Sequence, residues 1–105
     1  MISLDNYSEL NKMTGLPSMK DCFSDKPIKN KSIVLEYMKS QPVSLYAFMH
    51  IRDVVTGKIV PETVACQDDG VYEWRNDVVY HFEHYNLALP DDFIKHVLTV
   101  IRKSA

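Results

Sequence analysis

The stretch VSLYAFMHIRDVVTGKIVPETVACQDDGVYEW, residues 43–74, decides the fold. Its hydrophobic period is two. In SLYAFMHIR, Leu45, Ala47, Met49 and Ile51 point one way and Tyr46, Phe48, His50 and Arg52 the other, the alternation of a strand whose second face turns polar. Thr56-Gly57-Lys58 supplies a turn, IVPETVAC a second strand, Gln67-Asp68-Asp69-Gly70 a further turn and VYEW a third strand. A three-stranded antiparallel meander is the simplest arrangement. Pro61 has no N–H to give to a ladder, so its strand is expected to be bulged there or to lie at an edge.

Outside this stretch the period becomes helical. Downstream, Asn76 is a candidate cap for DVVYHFEHYN, with Asp77 in the first turn, where the helix dipole favours negative charge. Val78, Val79, Phe82 and Tyr85 form its apolar stripe, Tyr80, Glu83 and His84 lie opposite, and His81 sits on the flank. Leu89-Pro90-Asp91-Asp92 then opens a last helix, with Phe93, Ile94, Val97, Leu98, Val100 and Ile101 as its buried face and Arg102 and Lys103 at its negative end. Upstream, Asn30 opens a helix whose stripe is Ile33, Val34, Tyr37 and Met38, stopped by Pro42. Residues 3–14 have Tyr7, Leu10 and Met13 at helical spacing before Gly15, which predicts a short first helix. The expectation is therefore α+β: a small three-stranded antiparallel sheet with helices packed on one face, one domain over residues 1–105.

A length of 105 residues suits one core. With 46% hydrophobic and 25% charged residues the composition is that of a globular protein, not a disordered tail. No apolar run reaches the eighteen or so residues of a membrane span. The start, MISLDNYSELNK, is acidic and amphipathic rather than a secretory signal, so a cytoplasmic protein without membrane attachment is expected. Two cysteines, Cys22 and Cys66, with no CxxC spacing, point to free thiols in a reducing compartment.

The net charge of −2 argues against a nucleic-acid binder, which needs a basic face. It also hides a gradient. Residues 62–92 hold eight acids, Glu62, Asp68, Asp69, Glu73, Asp77, Glu83, Asp91 and Asp92, against Arg75 alone, a local charge of −7. Such a field repels phosphate and attracts basic surfaces. Turns and helix starts account for Asp68, Asp69, Asp77, Asp91 and Asp92 one at a time.

Catalytic signals are weak. His81 and His84, three apart, lack the ligand number zinc needs, and no metal or other cofactor is implied. With glycine only at positions 15, 57 and 70 there is no phosphate-cradling loop. His50 and Arg52 on one strand face, with His81 or His84, could serve a small nuclease, although alternating polar residues on a solvated strand face are far commoner. Cys66 closes an apolar strand and reads as a core thiol. More distinctive are Tyr72, Trp74, Tyr80 and Tyr85 interleaved with Asp69, Glu73, Asp77 and Glu83, since aromatic anchors within a charged rim are what protein interfaces use. Tyr72 and Trp74 share a strand face that can equally be core.

The elements RDVVTGK at 52–58, DDGVYEW at 68–74 and YNLALPDDFIKHVL at 85–98 resemble a pattern of small bacterial immunity proteins, the antidotes of contact-dependent or polymorphic toxins. Read with their surroundings they span a little under half of the chain. The resemblance implies a protein without enzymatic activity that binds one cognate toxin; it fixes no architecture and transfers no site residue. Many such toxins are nucleases with basic faces, so resemblance and charge together point to a partner-binding surface of Asp68, Asp69, Tyr72, Glu73, Asp77, Tyr80, Glu83 and His84. The alternatives are the nuclease built on His50, Arg52 and His81, and a homo-oligomeric adaptor.

Overall fold

The computed structural model describes residues 1–104. Its elements run β1 (Ile2–Ser3), a 3₁₀ turn (Met19–Cys22), α1 (Lys31–Ser40), β2 (Val43–Arg52), β3 (Ile59–Asp68), β4 (Tyr72–Arg75), α2 (Asn76–Tyr85) and α3 (Asp91–Ser104). The fold is α+β, with a four-stranded mixed sheet in the order β1-β4-β3-β2. The meander of β2, β3 and β4 is antiparallel as the sequence predicts. The fourth strand is not in the prediction: β1 pairs parallel to β4, Ile2 opposite Tyr72 and Ser3 opposite Glu73.

The helix expected over 3–14 does not form. Leu4 and Tyr7 are buried in the main cluster, and the Tyr7 hydroxyl donates to the carbonyl of Ala88 at 3.3 Å. Glu9 accepts from Ser18 Oγ at 2.5 Å and from the Met19 N–H at 2.8 Å. Contacts with distant segments thus outweigh a weak helical period.

The core gathers around β4. Tyr72 and Trp74 alternate inward, and Phe93 of α3 meets both rings edge-on, with centroids 5.0 and 5.6 Å away. Val34 and Met38 of α1, Val78, Val79 and Phe82 of α2, and Val97 of α3 complete one cluster. In α1 and α3 those positions are four apart, the spacing that stacks side chains on one helical face. Among the described residues no helix is long and apolar enough to cross a membrane.

Asn30 and Asn86, both left-handed, bracket α1 and α2: Asn30 precedes the first turn of α1 and Asn86 ends α2. Lys31 crosses between them, donating to the Glu83 carbonyl at 2.9 Å and to Asn86 Oδ1 at 2.7 Å, so a cation satisfies the carbonyl end of α2. Asn76 is not the cap of α2. It lies within the first turn, follows β4 with no loop, and uses its amide to bridge the Ala65 N–H and the Thr63 carbonyl of β3. That bridge holds α2 against the sheet.

Candidate functional site

Because α2 leaves β4 directly and is tied to β3, its outer side borders a groove over the sheet. This cavity, about 480 Å³, is lined by Tyr46 of β2, Glu62 and Ala65 of β3, Val79, Tyr80 and Glu83 of α2, and Lys39 of α1. Glu62 and Tyr46 are exposed, while Glu83 is half-buried and ion-paired with Lys39 at 2.9 Å. His84, exposed beyond Tyr80, sits with its ring 4.3 Å from that tyrosine. Of the residues expected to bind a partner, the structure brings Tyr80, Glu83 and His84 together on one side of α2.

The others divide. Asp68 and Glu73 are direct partners across β3 and β4 and lie near the surface, so two carboxylates stand side by side there. Tyr72 is 7% exposed and belongs to the core. Asp77 is 5% exposed and takes the Arg75 guanidinium at 2.8 Å. The Asp69 side chain is only 3% exposed. Its Oδ1 accepts the N–H groups of Val71 and Tyr72, and its Oδ2 meets the Tyr37 hydroxyl at 2.5 Å and His96 Nε2 at 2.8 Å. Burial alone would raise the Asp69 pKa, but the Tyr37 hydroxyl and the two N–H groups, with His96, bring it down to about 2. Tyr72, Asp69 and Asp77 are therefore corrected from contact residues to internal ones: their partners, from Arg75 to Tyr37 and His96, lie in the chain itself. The acidic run is not one continuous outward patch.

A second carboxylate hub escaped the sequence reading. Asp53, buried after β2, accepts the N–H groups of Val55 and Thr56 at 2.8 and 3.0 Å, the Tyr80 hydroxyl at 2.7 Å and the Tyr85 hydroxyl. Burial opposes the charge, yet the bonds from Tyr85, Thr56, Tyr80 and Val55 hold this carboxyl well below the usual range. Burial, reinforced by the Asp53 bond, pushes Tyr80 up to about 12. The Tyr80 ring lines the groove while its hydroxyl is committed inward. An Asp followed two and three residues on by its own N–H partners is an Asx turn, and that local signal was readable in DVVTGK.

His50, Arg52 and His81 do line one cavity, of about 620 Å³, with Arg75 and Asp77. His81 is fully buried, however, and both ring nitrogens are engaged. Nδ1 lies 2.8 Å from the Asp77 carbonyl, and Nε2 receives the Val54 N–H at 3.1 Å. A backbone N–H can only donate, so Nδ1 carries the proton and neither nitrogen is free for a substrate. Arg52 gives a hydrogen bond to the Gly57 carbonyl at 2.7 Å. Among the described residues no three His, Cys, Asp or Glu side chains stand close enough to hold a metal ion. Cys22 and Cys66 are free and half-buried, and burial pushes both thiols up, away from the reactive thiolate.

Compared with family models, curated proteins and solved structures, the chain matches none of them.

Proposed function

We propose that this chain is a binding protein of the immunity type, acting in the cytoplasm without catalysis of its own, and that it neutralises a cognate toxin by docking on that toxin's basic surface. The observation that carries this reading is the groove beside α2, where the carboxylates of Glu62 and Glu83 flank the rings of Tyr46 and Tyr80 over an apolar floor of Ala65 and Val79. An aromatic centre with a charged rim is how protein interfaces combine affinity with steering. His84 extends the rim, and the Asp68–Glu73 pair gives a second point of negative charge. Lys39 tempers Glu83 in the free protein, and a basic partner would compete for that carboxylate.

The test is co-expression and pull-down with the protein encoded beside its gene. Glu62→Lys combined with Glu83→Lys is expected to weaken binding about tenfold or more, mainly through a slower association that depends on salt, and to remove growth protection. Asp68→Lys with Glu73→Lys is expected to have a smaller effect. If the Glu62/Glu83 variant binds and protects like the parent, the groove is not the docking site. If the chain expressed alone degrades RNA or halts growth, the nuclease alternative on His50 and Arg52 takes precedence.

A further inference from the structure

The alternation in β2 predicts one buried face, yet of its ten residues only Ile51 is buried. Leu45, Tyr46, Phe48 and Met49 are each more than half exposed, as is Ile59, which pairs with Arg52 at the far end of the strand. Phe48 is fully exposed. Pairing with β3 slips between Tyr46 and His50, where four steps along β2 match two along β3, so Ala47–Met49 bulge outward and carry Phe48 with them. Because β2 is the last strand in the order β1-β4-β3-β2, no strand pairs with its outer side among the described residues.

We propose that β2 meets β2 of a second copy of this chain, antiparallel about a two-fold axis close to Phe48. The occupant follows from three properties of the strand. The first is charge. Residues 43–51 contain no Lys, Arg, Asp or Glu, so a copy laid against them brings no like charges into opposition, and Lys and Pro, the usual guards of an open edge, are missing. At the ends, Arg52 and Lys58 stand by the hairpin, whereas the Val43 end carries the Lys39–Glu83 pair, and a two-fold axis places each end on the other.

The second property is size. The five side chains expose on the order of 700 Å², divided between the two faces of the strand, so an edge-to-edge copy covers part of it and the contact falls below the ~800 Å² that each partner gives to a standard interface. The third is closure. The opposite edge of the sheet is β1, only two residues long, so pairing through β2 stops at two copies rather than growing into a fibre. The bulge sets Phe48 out from the strand as the anchor of the contact, with ladder pairing limited to the residues on either side of it. Tyr46 also lines the groove assigned to the toxin, so copy and toxin compete there, and the test of this inference uses the protein alone.

Sedimentation velocity over a series from low to high micromolar concentration tests it, with the protein alone in solution. The mass is expected to rise to that of two chains. Phe48→Lys and Phe48→Glu are each expected to weaken association by about tenfold or more, and an equimolar mixture of the two to recover it, because the residue faces its own copy across the axis. Met13→Lys, at another exposed apolar side chain off the sheet, is expected to change nothing. A monomer at every concentration overturns the proposal, and so does a dimer that survives both Phe48 variants. Loss in both variants without recovery on mixing overturns the two-fold arrangement.

Discussion

Two strands of one sheet, β4 and β2, obey opposite rules. β4 is four residues long and buries Tyr72 and Trp74 under Phe93, while β2 is ten residues long, richer in apolar side chains, and buries Ile51 alone. Alternation therefore identifies a strand but not its cover. What protects β4 is position: it lies between β1 and β3, and α2 begins directly after its last residue, so the chain delivers that helix to its face. β2 sits at the edge, paired with β3 on one side and reached by α2 across the groove that Tyr46 lines. Each strand also sits beside a carboxylate hub. Asp69, before β4, joins the sheet to Tyr37 of α1 and His96 of α3, and Asp53, after β2, joins the hairpin to Tyr80 and Tyr85 of α2.

The largest effect should come from emptying the covered side. Phe93→Ala removes the ring that both Tyr72 and Trp74 contact, and a loss of about 3–5 kcal/mol in urea unfolding is expected. A loss under about 1 kcal/mol would mean that β4 does not depend on α3, and the contrast with β2 would fail.

Next come the hubs. Asp53→Ala leaves two hydroxyls and two N–H groups without their acceptor, and about 3 kcal/mol of destabilisation is expected. The mild variant Tyr80→Phe deletes one donor and should cost about 1 kcal/mol. Equal losses for the two would show that Asp53 acts through Tyr80 alone.

Acid should find the hubs as well. The Asp69 carboxyl is at about 2 in the folded chain and near the ordinary ~3.9 when unfolded, so its contribution is complete above about pH 4 and fades as pH falls towards 2. That contribution is about 2.5 kcal/mol. Asp53 shifts in the same direction and deepens the loss, whereas Asp5, raised chiefly by burial, opposes it. Denaturant midpoints at pH 5, 4, 3 and 2 for the parent and Asp69→Asn check this: the variant should lose part of the acid sensitivity. Parallel curves for the two proteins would remove Asp69 from the account.

The same contrast explains what could be read from the chain. α3 was legible because Phe93 and Val97 repeat at helical spacing after Pro90 and two acids, all local signals. β1 was not, because two residues pair with a strand some seventy positions away and leave no period behind. In the acidic stretch, Asp69 and Asp77 carried turn and helix-start signals that did describe their local roles, but the partners that internalise Asp69 lie 32 and 27 residues off, at Tyr37 and His96. Charge counted along the chain cannot tell a rim from a hub. Tyr46 and Phe48, on the face expected to be polar, were the sign that β2 has no cover, and it was visible in the sequence.

The smallest expected effect decides how the bare strand is interpreted. Phe48→Ser removes a ring as large as Phe93, yet in dilute protein it should change stability by no more than about 0.5 kcal/mol, because a side chain already in water loses no burial on unfolding. Concentration then separates two accounts of β2. If the strand is merely solvated, the variant and the parent have the same urea midpoint at every concentration. If β2 meets its copy, the parent's midpoint rises with concentration by mass action and the variant's does not, so the two curves coincide when dilute and part when concentrated. A constant deficit in the variant at all concentrations would instead mean that Phe48 packs within its own chain, and the difference between the two strands would be one of degree.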